Sequence, residues 1–228
     1  MQKKVAIFDV DGTIFRSSLL IELVNVLVDR KVFPEDAHLQ YEKEYLAWLD
    51  RRGSYGDYIL AVVDVFIKYI KGVKEEDLAS AAKLVTTQQG KRTYRYTRGL
   101  ISKLKEEGYY LLAISHSPKL VLEEFTKTHG FDKAYGLIYE IDKERKFTGR
   151  ILDEELIFNK AKVLARALEK EGLTLDGSVG VGDTESDITF LSVVEKPICF
   201  NPNSALYEHG KKQGWKIVLE RKDVIYEL

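Results

Sequence analysis

The chain has 228 residues, 45% of them hydrophobic, which is material for one large domain or one and a half of ordinary size. Its 35 basic and 36 acidic side chains leave a formal charge of −1, so no polyanion-binding balance exists and nucleic acid is not an expected partner. The single cysteine, Cys199, excludes an internal disulfide and fits a reducing cytoplasm. The longest apolar stretches, such as Leu19 to Val28, are interrupted by Glu22 and Asn25 and are too short to span a bilayer, so no membrane association is expected. Gln2-Lys3-Lys4 leads directly into a strand, and no secretory leader is expected.

In chain order, Val5–Phe8 reads as a buried strand. Residues 17 to 90 then read as four helices without a strand. Ser17 and Ser18 offer an N-cap for the first, which runs through Asp29 or Arg30. Pro34–Arg52, Tyr55–Lys71 and Glu75–Gln89 follow, ended by Gly53, Gly72 and Gly90. From residue 91 the texture becomes strand, turn, helix. Arg98–Glu107 predicts a helix, Tyr109–Ser115 a strand, Pro118–His129 a helix, and Ala134–Tyr139 a strand entering a hairpin through Asp142–Arg145. The helix Asn159–Glu171, strand Ser178–Val181, short helix Ser186–Val193, strand Pro197–Phe200, helix Ser204–Gln213 and last strand Trp215–Leu219 complete the reading. The pattern predicts an α/β fold, a doubly wound parallel sheet with a Rossmann-type core. That core would comprise residues 1–16 and 91–228, with residues 17–90 inserted as an α-helical cap over the sheet's carboxyl edge, where open α/β sheets bind ligands.

The residues that carry chemistry gather at that edge. Asp9-Val10-Asp11-Gly12-Thr13 stands where the first apolar run ends, and two carboxylates there are costly unless a cation or a reacting group awaits them. Leu111–Ile114 runs out at Ser115. Val179–Gly182 runs out at Asp183, with Asp187 four residues on, and Lys160 opens the helix from Asn159. Carboxylates, a hydroxyl and an amine converging from four segments suit a phosphate plus a divalent metal. Lys160 is preferred to Lys162 because it shares the packed helix face with Leu164 and Leu168. Ser117 is a rival to Ser115 but reads better as N-cap to the next helix. Glu185 reads as a first-turn charge favoured by the helix dipole. Lys91, Arg92, Arg95 and Arg98 read as a solvated face more often than as a contact to an anionic substrate, and Tyr41, Tyr45, Trp48, Tyr55, Tyr58 and Phe66 as helix-packing aromatics more often than as a ligand cage.

The order Asp-x-Asp-Gly-Thr, strand-terminal Ser, Lys, Gly-Asp-x-x-x-Asp resembles the haloacid dehalogenase superfamily of phosphohydrolases. It is most similar to the branch containing phosphoserine phosphatase, whose helical cap lies between the first two motifs. Phe147–Ile151 and the stretch from Asn201-Pro202-Asn203 to Gly214-Trp215 are also similar to that branch. The resemblance implies a cytoplasmic Mg²⁺-dependent phosphatase acting on a small phosphorylated metabolite, as a monomer or homodimer. It implies Asp9 as nucleophile and Asp11 as acid and base. It implies metal held by Asp9, the Asp11 carbonyl and Asp183, with Asp187 orienting Lys160 or a metal-bound water. Ser115, the His116 amide and Lys160 would hold phosphate oxygens. Gly12 permits the turn, and Thr13 fixes that turn or positions Asp11. The His116 ring would be a pocket wall or substrate contact. One departure stands out: Ile14–Leu20 holds no acid to receive a substrate ammonium, Arg16 brings positive charge instead, and Glu22 comes later. A phosphotransferase using the same intermediate, or an inactive phosphate- and metal-binding module, would share these residues.

Overall fold

A computed structural model describes residues 2–228. Eight strands form one sheet in the order β4-β3-β2-β1-β5-β6-β7-β8. They are β1 (Lys3–Phe8), β2 (Tyr110–Pro118), β3 (Lys133–Ile141), β4 (Phe147–Leu152), β5 (Leu173–Gly182), β6 (Lys196–Phe200), β7 (Lys216–Arg221) and β8 (Val224–Glu227). All neighbours are parallel except the two edge pairs, β3–β4 and β7–β8, which are antiparallel hairpins. The long helices α5 (Arg95–Glu106), α6 (Lys119–Thr128), α8 (Lys160–Glu171) and α10 (Ser204–Gln213) cover this sheet, with the single turns α7 (Glu154–Ile157) and α9 (Ile188–Leu191) between them. β1 lies at its centre, and Val5, Ala6, Ile7 and Phe8 have no solvent-accessible surface. Each such Val, Ile or Phe contributes about 1.5–3 kcal/mol by burial. Because β1 has β2 on one side and β5 on the other, the chain direction reverses outside its carboxyl end, opening the crevice into which Asp9 projects.

The four-helix reading of residues 17–90 needs one correction. α1 (Leu19–Asp29), α3 (Tyr55–Ile70) and α4 (Glu75–Gln89) form as expected, but Pro34–Arg52 is not one helix. It is a single 3₁₀ turn, Ala37–Gln40, followed by the short α2 (Glu42–Leu49). Leu39, Leu46 and Leu49 are all exposed and α2 itself buries no residue, so the segment is anchored mainly by Ala37 and Tyr41 and little apolar burial supports a longer helix. The chain enters and leaves this insertion as a paired neck, with Arg16 N donating to Arg92 O at 2.8 Å and Tyr94 N to Ile14 O at 3.0 Å. A second tie joins the α3–α4 turn to the β3–β4 hairpin through Gly72 N to Phe147 O at 2.8 Å and Glu75 N to Arg145 O at 2.9 Å.

Three strands differ from expectation. β2 runs on to Pro118, so Ser115 lies within it and not at its end. β5 starts at Leu173 rather than Ser178, because the polar stretch Thr174–Gly177 continues the pairing through a bulge opposite Lys4. β8 is unanticipated; its Val224 and Tyr226 are exposed on the sheet edge, so it lacks the alternation that marks a half-buried strand. Among the described residues no helix is long and apolar enough to cross a membrane.

Candidate active site

The carboxyl ends of β1, β2 and β5 and the start of α8 bring the anticipated groups together. Asp9 follows β1, and its amide continues the ladder by donating to Val181 O at 2.9 Å. Lys160, the first residue of α8, is 2% exposed. An ammonium at a helix N-terminus opposes the helix dipole, and its burial is costly without partners. Its Nζ donates to Asp9 Oδ1 at 2.6 Å and to Asp187 Oδ1 at 2.5 Å. Burial works against that charge, but Asp187 and Asp9 outweigh it and hold the amine firmly protonated. Asn159 caps α8 by accepting from Lys162 N, which fixes where the lysine emerges, while Lys162 itself is exposed.

Asp187 is fully buried. Its Oδ2 accepts from Asp183 N at 2.9 Å and Thr184 N at 3.0 Å, so this side chain shapes the loop that carries Asp183. A Cβ on Gly182 would overlap Asp187, which is why the strand ends in glycine. Gly12 has the same role on the opposite wall. Its φ of +83° suits glycine, and a Cβ there would fall on Asp183 Oδ2. Thr13 donates from Oγ1 to Asp183 Oδ1 at 3.1 Å; of the two roles expected for it, positioning Asp11 is not seen, and its hydroxyl ties the turn to Asp183. Asp9, Asp183 and Asp187 each present an oxygen within 4.8 Å of the others. Asp9 Oδ2 and Asp183 Oδ2 accept no hydrogen bond among the described residues.

Burial pushes Asp9 up to about 7, with Lys160 opposing the shift and Asp187 and Asp11 adding to it. Burial, then Asp9 and Asp187, raise Asp183 well above the carboxylate range. Four carboxylates, including Asp11, thus surround one ammonium. The set is short of positive charge, and its hard oxygens fit a divalent cation held by Asp9 and Asp183.

Asp11 is held by three donors. Leu19 N reaches its Oδ1 at 2.5 Å, while Ser115 Oγ at 2.6 Å and Ser117 Oγ at 2.8 Å both reach Oδ2. Burial raises its pKa and these bonds lower it in part. Two sequence expectations are corrected here. Ser117 is not the cap of α6, where Pro118 takes that position without a side-chain bond; its hydroxyl belongs to the site. Ser18 stands at the N-cap of α1 without a side-chain capping bond, and Asp11 supplies the acceptor instead. The His116 ring is not a wall of the cavity described below. It packs against Phe158 at 5.2 Å, and burial, then the Lys160 charge, lower its pKa to about 4. Glu185 accepts from Asn203 Nδ2.

A cavity of about 720 Å³ opens above Gly12 and Asp183. Tyr41, Tyr45, Trp48, Tyr55 and Tyr58 of the insertion line it, as do Tyr94, Arg16 and Arg92. The aromatics expected only to pack helices therefore also face open space, apart from Phe66, which is buried against Phe33 and Tyr139. Of the basic run, Arg92 reaches this cavity, whereas Arg95 bonds Asp223 O and Arg98 bonds Thr93. Glu22 does not line the cavity. Its Oε1 accepts from Ser17 Oγ at 2.9 Å and Arg92 Nη1 at 2.8 Å.

Comparison with known proteins follows the same lines. A family model described as haloacid dehalogenase-like hydrolase matches residues 6–192. Phosphoserine phosphatase of Archaeoglobus fulgidus is 24% identical over 208 residues, covering 90% of this chain. This chain spans only 54% of that relative's length. Phosphoserine phosphatase of Methanocaldococcus jannaschii is 24% identical over 224 residues, 98% of this chain and 95% of that one. A solved structure described as a phospho-aspartyl intermediate analogue of phosphoserine phosphatase superposes with a TM-score of 0.62 at 21% identity, covering 98% and 96% of the two chains. At that identity the structural likeness carries the fold.

Proposed function

Since the chain is an enzyme of the haloacid dehalogenase-like hydrolase family, we propose that it is a Mg²⁺-dependent phosphatase of small phosphate monoesters, working through an aspartyl phosphate on Asp9. One observation carries the reading. Asp9 is a carboxylate with one oxygen locked to Lys160 and the other free, facing a second free carboxylate oxygen at a topological switch point.

Asp9 would hold the metal with Asp183 and the Asp11 carbonyl; when bound, Mg²⁺ supplies the charge neutralisation that lets a phosphate dianion approach an anion. Lys160 fixes the Asp9 rotamer and offers its ammonium to a phosphoryl oxygen. In the first half-reaction an Asp9 carboxylate oxygen forms a bond to phosphorus as the ester P–O bond breaks, and protonated Asp11 gives its proton to the departing alcohol. In the second, water attacks the phosphoaspartate, Asp11 takes back a proton, and inorganic phosphate leaves with Asp9 restored. The burial that raises Asp11 favours the protonated form the first step needs. Ser115, whose hydroxyl here donates to Asp11, and the His116 amide would hold a second phosphoryl oxygen. Asp187 positions Lys160 and the Asp183 loop, and its oxygens are already occupied in doing so.

Residues 17–90 act in this reading as a cap that roofs the cavity and governs which ester enters. The one buried cysteine suits a cytoplasmic setting. The test is phosphate release from p-nitrophenyl phosphate with Mg²⁺, together with acid-quench trapping of labelled protein. Asp9→Asn should lose both turnover, by about 10⁴-fold or more, and the acid-stable label. A variant that keeps turnover overturns the assignment of Asp9.

A further inference from the structure

Beside the reacting carboxylates stands a cavity far larger than a phosphate group. At about 720 Å³ it lies within the range of pockets that enclose whole organic ligands. We propose that the alcohol half of the substrate is a flat aromatic or heteroaromatic ring bearing an anionic substituent, stacked among Tyr45, Trp48 and Tyr55 with its anion toward Arg16. This inference rests on the phosphatase reading and names its substrate class.

The first support is the composition of the cavity wall. Tyr45 and Tyr55 remain 37% and 39% exposed and Trp48 is half-buried, so each leaves ring surface open beside the cavity it lines. They are held rigidly by one another, with Trp48 5.5 Å from Tyr55, Tyr45 6.1 Å from Trp48, and Trp48 stacked on the buried Tyr58 at 5.7 Å and 18°. A preformed aromatic wall loses little conformational freedom when a ring docks on it. The second support is position. Tyr45, Trp48 and Tyr55 line the same cavity as Gly12 and Asp183, so a ring docked on them lies in the space that opens onto the reacting carboxylates.

The third support is charge. An amino-alcohol phosphate needs an acid for its ammonium, and Glu22, the acid nearest the first motif on α1, is consumed by Arg92 and Ser17. Glu42 also lines the cavity and, like Arg16, is exposed, so either ion pair alone gains little, and the ammonium-bearing esters below test the choice between them. Arg16 lines the cavity and has no carboxylate partner among the described residues; its guanidinium sits 6.0 Å from the Tyr94 ring centre. A free cation beside an aromatic wall complements a ring that carries an anion.

The experiment compares kcat/KM of the full-length Mg²⁺-loaded enzyme for 4-carboxybenzyl phosphate, benzyl phosphate, O-phosphoserine, phosphocholine and glycerol 3-phosphate. All are esters of alkyl alcohols, so leaving-group chemistry does not mimic recognition. The two benzyl esters should exceed the others by about tenfold or more, with the carboxylated one ahead. Tyr45→Ala and Trp48→Ala should each shrink the benzyl-to-glycerol ratio by about tenfold, Trp48→Phe should restore it, and Arg16→Gln should erase the advantage of the carboxyl group. Ratios that favour phosphoserine, phosphocholine or glycerol 3-phosphate, or that ignore these substitutions, overturn the proposal. A binding readout separates it from the activity. In Trp215→Phe, Asp9→Asn protein, Trp48 is the remaining tryptophan and its fluorescence should be quenched saturably by 4-carboxybenzyl phosphate. Quenching without turnover of any ester by the parent enzyme retains the ring site and overturns the phosphatase reading. Absence of quenching overturns the ring site.

Discussion

Two regions meet at Gly12 and are built on opposite principles. Beneath it, Asp9, Lys160 and Asp187 are almost without solvent exposure, and every contact among them is charge-assisted at 2.5–2.6 Å. Above it, the aromatic wall is partly exposed and held by ring contacts of 5.2–6.1 Å. The lower region is an all-or-none network, since removing one ion strands the others in a medium that cannot solvate them. In the upper region each ring adds an increment of contact, and a half-exposed ring can change without leaving a buried charge. Chemistry is thus fixed by the region that tolerates least, and selectivity is assigned to the one that tolerates most.

The largest expected effect tests that contrast directly. Lys160→Met should destabilise the fold by about 3–5 kcal/mol in urea denaturation, because Asp9 and Asp187 lose their common partner inside the protein. Tyr45→Ala should cost no more than about 1 kcal/mol, since its ring already contacts solvent. Equal losses in the two variants would abolish the distinction, and a Lys160→Met protein as stable as the parent would show that the ions are solvated in the folded state.

The same contrast decides what the sequence disclosed. Asp9, Asp11, Lys160, Asp183 and Asp187 were legible because each sits just past a strand end or at a helix start, where charge is costly without a purpose, whereas Ser115 lies within β2 and was placed only by its order among these residues. The parallel sheet was legible from apolar runs alternating with amphipathic helices, whereas its strand order came only from the structure. Thr13 and Ser117 were misread because their partners, Asp183 and Asp11, lie 170 and 106 residues away in the chain, while a local turn or cap offered a plausible alternative. The aromatic wall was misread because periodicity reports which side of a helix is apolar and not whether that side faces protein or a cavity. The density of rings in 41–58 was the available signal. Pro34–Arg52 failed for the converse reason: its leucines follow helical spacing yet remain exposed.

A smaller effect concerns pH. His116 is held neutral by burial and by Lys160, with its pKa lowered to about 4 against the ordinary 6.5. Between those values the unfolded chain takes up a proton that the folded chain refuses. Stability from this group is therefore complete above about pH 6.5 and declines as pH falls toward 4. Denaturation at pH 7 and pH 4.5 should show the parent losing on the order of 2 kcal/mol more than His116→Asn, which has no such proton to take up. Identical losses would place the imidazole in solvent and assign it to the tolerant region.

The smallest effect asks on which side of the divide Ser117 falls. As a helix cap it could be replaced by aspartate without loss, since aspartate caps as well as serine. As a donor to Asp11 Oδ2 at 2.8 Å it could not, because a second carboxylate would face the first inside the protein. Ser117→Ala should cost about 1 kcal/mol, the usual worth of one such bond with Ser115 and Leu19 still in place. Ser117→Thr, which keeps the hydroxyl, should cost less than Ala, and Ser117→Asp should cost more than either. The reverse order, with Asp the mildest, would return Ser117 to the helix. Asp11 would then be held only by Ser115 and the first turn of α1.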